Sequence, residues 1–125
     1  MAENQKPSDI KERTFNFAVA IVRLCAGLTK QSGVSRSLSY QLLSSGTSIG
    51  ANVEEAQAGQ SRADFVSKYA ISLKEARETI YWLRLLEASG QLSGDKLQTL
   101  QLEANEIARI IGAIIIRAKT NNGRK

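Results

Sequence analysis

The chain has 125 residues, 42% hydrophobic and 23% charged, with 17 Lys+Arg against 12 Asp+Glu and a formal net charge of +5. That length makes one domain, large enough to bury a core without a metal or disulfide staple, and the single proline excludes collagen-like and Pro/Gly-rich disordered classes. Histidine is absent and Cys25 is alone, which excludes Ser-His-Asp and Cys-His catalysis, His-ligated zinc, an internal disulfide and a CxxC site within one chain.

The start of the chain, MAENQKPSDIKER, is too polar for a signal peptide. The longest apolar run, Ala113-Ile114-Ile115-Ile116, stops at Arg117, far short of the ~18–20 residues of a membrane span. Cys25, beside Leu24, Ala26 and Leu28, reads as a packed thiol in a reducing compartment. These features give the expectation of a cytoplasmic protein without membrane association, metal or cofactor.

Four segments carry helical periodicity. The first runs from about Ser8 to Thr29, with Ser8 or Asp9 as candidate N-cap after Pro7. Phe17, Ala18, Ile21, Leu24, Cys25 and Leu28 form one stripe, and Phe15, Val19, Val22 and Ala26 form a second beside it. A helix apolar over this much of its circumference calls for burial on more than one side. The second helix spans about Ser35 to Ala58, with Leu38, Leu42, Ile49, Val53 and Ala56 as its apolar positions and Gly59 in the place of a C′ glycine. The third opens on Ser61-Arg62-Ala63-Asp64, a capping-box pattern with Asp in place of Glu or Gln, and ends at Gly90. Its main stripe is Phe65, Tyr69, Leu73, Ala76, Ile80 and Leu83. The fourth starts near Gly94-Asp95 and ends near Thr120. Leu97, Leu100, Ala104, Ile107, Ile111, Ile114 and Ala118 give it a heptad seam. The organisation expected is an all-α, antiparallel up-down-up-down four-helix bundle over residues 8–120. A disordered N-terminal tail (1–7) and a basic C-terminal tail (121–125) would flank it.

Some residues exceed what a monomeric core needs. Ile71, Trp82 and Leu86 fall to one side of the third helix's stripe, and Leu102, Ile110 and Ile116 lie off the seam of the fourth. Surplus apolar surface points to an oligomer interface, and the alternative is a wide face packed against two neighbouring helices in a monomer. Gln41, Ser48, Asn52 and Glu55 line up along the second helix, and Lys68, Glu75 and Glu78 on the third are candidate partners for a hydrogen-bonded network. The oligomer interface is therefore placed at Gln41, Ser48, Asn52, Glu55, Ile71, Glu75, Glu78 and Trp82. Gly46 and Gly50 form a small-xxx-small pair that predicts close helix approach or a kink. Their stretch lacks the lysine of GxxxxGK[ST] and follows no strand, so it is no phosphate loop. An antiparallel bundle brings the start of helix one and the end of helix four together. That clusters Lys11 and Arg13 with Arg117, Lys119, Arg124 and Lys125, the candidate nucleic-acid contacts, diluted by Asp9 and Glu12. A solvated helix end, with cations well placed at a C-terminus, accounts for the same cluster.

The blocks Ser45–Ala56 (SGTSIGANVEEA) and Asp64–Leu83 (DFVSKYAISLKEARETIYWL) resemble those of the bacterial four-helix-bundle family named after the 23S rRNA intervening sequence. Ser44 stands where members of that family often carry Arg. The resemblance implies a bundle that assembles as a ring-like homopentamer. It also implies kinship with the accessory variability protein of diversity-generating retroelements, a basic pentamer that works with a reverse transcriptase and nucleic acid. The family's name records where its genes were found and no activity. The function expected is a non-enzymatic homo-oligomer, a pentamer by resemblance, that binds RNA or DNA or a nucleic-acid-handling, reverse-transcriptase-like protein. The alternative is a protein-binding scaffold or adaptor with no nucleic-acid role.

Overall fold

The computed structural model describes residues 7–123 and the side chains of residues 9–120. Four helices follow one another: α1 (Pro7–Leu28), α2 (Val34–Ala58), α3 (Arg62–Ala88) and α4 (Asp95–Gly123). No strand occurs among the described residues. Each helix packs on its neighbour in sequence, and α4 closes more loosely onto α1. This is the up-down-up-down four-helix bundle expected from the periodicity.

The predicted stripes form the core. All seven residues of the α4 seam are buried, as are Phe17, Ile21, Cys25 and Leu28 of α1 and Leu42, Ile49, Val53 and Ala56 of α2. Two residues assigned to surplus surface, Leu86 and Ile110, also point inward and are buried. A wheel of 100° per residue puts both at the edge of their stripes, where packing decides the side.

Between α2 and α3 the core is made of small polar residues. The Ser72 hydroxyl donates to the Ile49 carbonyl at 2.8 Å. Thr79 donates to the Glu75 carbonyl at 2.8 Å, and its oxygen lies 2.9 Å from Ser45 Oγ. All three side chains are buried and satisfied, so no desolvation penalty is left standing. On its other flank α2 meets α1 through the two glycines. A Cβ built on Gly46 would lie 2.9 Å from Ile21 Cγ2, and one on Gly50 would lie 3.2 Å from the Thr14 carbonyl oxygen. The Gly46/Gly50 pair therefore serves close helix approach.

The helix ends differ in part from expectation. Pro7 is the first residue of α1, where its missing N–H costs nothing, so Ser8 and Asp9 lie in the first turn and not at the cap. Ser61 caps α3, its hydroxyl accepting from the Asp64 N–H at 3.0 Å. Gly59 is extended (φ −67°) and not left-handed, and the room needed there is for Asp64 Cβ, 3.2 Å from where a Cβ would stand. The left-handed glycine is Gly90 (φ 80°). Gln91 N–H bonds the Leu86 carbonyl at 2.9 Å and Gly90 N–H bonds that of Glu87 at 3.0 Å, a Schellman stop. No proline follows Thr120, and α4 continues through the expected tail to Gly123. Arg124 and Lys125 lie outside the described residues.

Candidate interaction surfaces

The α2–α3 face carries all eight residues assigned to an oligomer interface. The Ser45–Thr79 and Ile49–Ser72 contacts set an antiparallel register. That register puts Gln41 near the level of Trp82, Ser48 near Glu75, and Asn52 near Ile71. Ile71 is exposed and Trp82 half-buried, its ring edge-on to that of Tyr81 with centroids 5.1 Å apart.

The polar line on α2 is satisfied differently from expectation. Asn52 Nδ2 donates to the Ser48 carbonyl at 2.8 Å, and Ser48 Oγ donates to the Ser44 carbonyl at 2.7 Å. Short polar side chains in a helix reach the carbonyl one turn back more readily than a neighbouring helix. The cross-helix network with Lys68, Glu75 and Glu78 is thus not made within the protomer. Glu75 is half-buried, and its carboxyl is pushed above the usual carboxylate range, chiefly by burial, then by Glu78, with Lys74 opposing.

The structure does not bring the expected basic cluster together: Arg13 meets α4 at Glu103, about 21 Å of helix before Arg117. The Arg13 guanidinium grips Glu103 with two bonds, Nε at 2.6 Å and Nη2 at 2.9 Å. The bond to Glu103 holds Arg13 in its charged form against the opposing effect of burial. Lys11 Nζ lies 3.8 Å from Glu54, both half-exposed. Arg117 and Lys119 are exposed and make no ion pair with any described residue. Arg62, at the start of α3, lies toward the same end of the bundle as Arg117 and Lys119 and carries no signal of this in the sequence. Only the completed topology puts the α2–α3 connection beside the ends of α1 and α4.

A second apolar surface runs along α1 and α2. Phe15 is 59% exposed, Tyr40 52% and Val22 48%. Gly50 on Thr14, and Cys25 Sγ 3.5 Å from the Ser39 carbonyl, set the register here and bring Val22 level with Leu43. This band is the second stripe read from helix one, now joined to Tyr40, Leu43, Thr47 and Ala51 of α2. On α4, Leu102 and Ile116 are 72% and 68% exposed on its outer side.

Among the described residues no three His, Cys, Asp or Glu side chains gather to hold a metal ion. No helix of the described residues is long and apolar enough to cross a membrane. The class defined by the fold is therefore an all-α four-helix bundle, and its candidate sites are the faces described above. Within that class the chain belongs to the 23S rRNA-intervening sequence protein family, whose model matches residues 6–113. A solved structure of a protein of unknown function, from the S23 ribosomal protein family of Bacteroides thetaiotaomicron VPI-5482, is similar at 41% identity. The match covers 89% of this chain and 98% of that one, with a TM-score of 0.81. No curated protein matches.

Proposed function

We propose that the chain is a non-enzymatic, self-assembling bundle, a homopentamer by family resemblance, that binds nucleic acid in the cytoplasm. The observation that carries the assembly is the coexistence of two unlike faces on one protomer. The α2–α3 face offers Trp82 and Ile71 beside polar groups, and the α1–α2 band offers Phe15, Val22 and Tyr40, with the Lys11–Glu54 ion pair at its end. Packing one face on the other face of the next copy is a heterologous contact, which makes a ring where its rotation closes and a filament where it does not. Burial between copies also supplies partners for Gln41, Glu55, Glu75 and Glu78.

Nucleic-acid binding is supported by the basic balance and by Arg117 and Lys119, which no described carboxylate neutralises. A reverse-transcriptase-like protein is the partner that kinship suggests. The competing reading, a scaffold for a protein partner, is favoured by the exposed Leu102 and Ile116 of α4. Fluorescence anisotropy of a labelled RNA against salt separates the two. The reading predicts binding at low salt that falls log-linearly as salt rises. No binding at low salt contradicts it and favours the scaffold.

A further inference from the structure

We propose that the solvent face of α3 is a site for single-stranded nucleic acid, with Tyr81 as the base-stacking ring and Lys74, Arg77 and Arg84 as the phosphate contacts. The proposal rests on the nucleic-acid reading above and names its contact surface.

Tyr81 is 54% exposed on the solvent face of α3. Lys74, Arg77 and Arg84 lie 7 and 4 residues before it and 3 after it, spacings that bring all three to its side of the helix. None of the three makes an ion pair within 4.0 Å with a described residue, although Glu78 and Glu87 stand on the same helix. Glu87 is turned toward α4, where it accepts from Gln101 Nε2 at 3.1 Å.

The ring stands between two hollows. One, of about 280 Å³, is lined by Lys74, Arg77, Glu78, Tyr81 and Trp82. The other, of about 420 Å³, is lined by Tyr81, Arg84, Leu85, Glu87 and Ala88. An aromatic ring with open space toward either end of the helix, flanked by cations, is the arrangement on which unstacked bases lie while the backbone runs along the positive groups. A duplex keeps its base faces stacked and offers the ring nothing. Tyr81 is about 100° round the helix from Trp82, so its ring faces away from the α2–α3 face, and only the Glu78 and Trp82 side of the first hollow borders that face.

The test is anisotropy of a labelled 12-nucleotide single strand of mixed sequence, at low salt and across a salt series. Trp82, the only tryptophan, serves as a second reporter through its contact with Tyr81. Tyr81→Ala should weaken binding about tenfold, Tyr81→Phe should keep it, and the duplex form should be indifferent to both. Arg77→Gln and Lys74→Gln should each lower the salt slope by about 0.7.

Wild-type affinity in Tyr81→Ala overturns the site. So does a change in its light-scattering mass, which would make Tyr81 a subunit contact. If the strand binds and only Arg117→Gln and Lys119→Gln weaken it, the placement fails while the nucleic-acid reading stands. If the wild-type protein binds no strand at low salt, that reading fails and this site with it.

Discussion

Gly46 is where one methyl group should cost the bundle most for its size. In an open helical position Gly→Ala stabilises by about 1 kcal/mol through helix propensity. At Gly46 the new Cβ would lie 2.9, 3.0 and 3.3 Å from Cγ2, Cγ1 and Cβ of Ile21. Ile21 is fully buried and β-branched, so it cannot swing aside and α1 must move. Overpacking of this kind costs about 1–3 kcal/mol, and three close atoms on a stiff side chain put it in the upper half of that range. The net loss is then about 1–2 kcal/mol. For a 125-residue domain, ~2.1 cal/mol/K per residue converts each kcal/mol to about 4 °C in Tm. Gly46→Ala should therefore lower Tm by about 4–8 °C. Gly112, in α4, has nothing within 4 Å of a built Cβ. Gly112→Ala should raise Tm by about 4 °C, and the difference between the two variants isolates the steric cost. Thermal unfolding by circular dichroism at one fixed protein concentration reads both. In an Ile21→Ala background, where Cγ2 and Cγ1 are gone, the Gly46→Ala penalty should shrink. Equal increases in Tm for Gly46→Ala and Gly112→Ala would refute the close approach of α1 and α2.

Other outcomes follow from single groups. Burial pushes the Cys25 thiol up to about 11, so a thiol reagent should label the native protein no faster at pH 9 than global opening allows, and promptly in denaturant. Glu75 is raised in the folded state, so the bundle is favoured by its protonated form, and that benefit is lost as pH rises through the folded-state value. Glu75→Gln should therefore raise Tm at neutral pH and leave it unchanged below the carboxylate range. Equal effects at both pH values would remove burial of the charge as the cause. Arg13→Lys breaks the two-bonded fork to Glu103 and should cost about 1 kcal/mol in denaturant unfolding, while Arg117→Lys should cost nothing measurable.

What the sequence discloses here depends on range. The α4 seam is legible because a strict three-four spacing from Leu97 to Ala118 leaves one face to bury. The Ser61 cap is legible because its chemistry lies within three residues. Gly46 and Gly50 announce a close approach but not its partner, since Thr14 and Ile21 meet them only after α1 and α2 pack. Arg13 reads as a free cation because Glu103, which holds it, is 90 residues away. The polar line Gln41–Glu55 is visible as a line, yet its bonding is not. Back-bonding to Ser44 and Ser48 competes with any cross-helix partner, and the packed helix geometry decides between them. Tyr81 is not legible as a surface group, because an apolar periodicity announces the core and its ring faces away from it.

The central claim is that the α2–α3 face is covered by another copy of this chain. The most direct test is the light-scattering mass of purified wild-type protein after nuclease and high-salt treatment, compared with Trp82→Ala, Asn52→Ala and Phe15→Ser. The account predicts a wild-type mass near five chains of 13.6 kDa and smaller species for the variants. A wild-type monomer, or variants that all keep the wild-type mass, would contradict it.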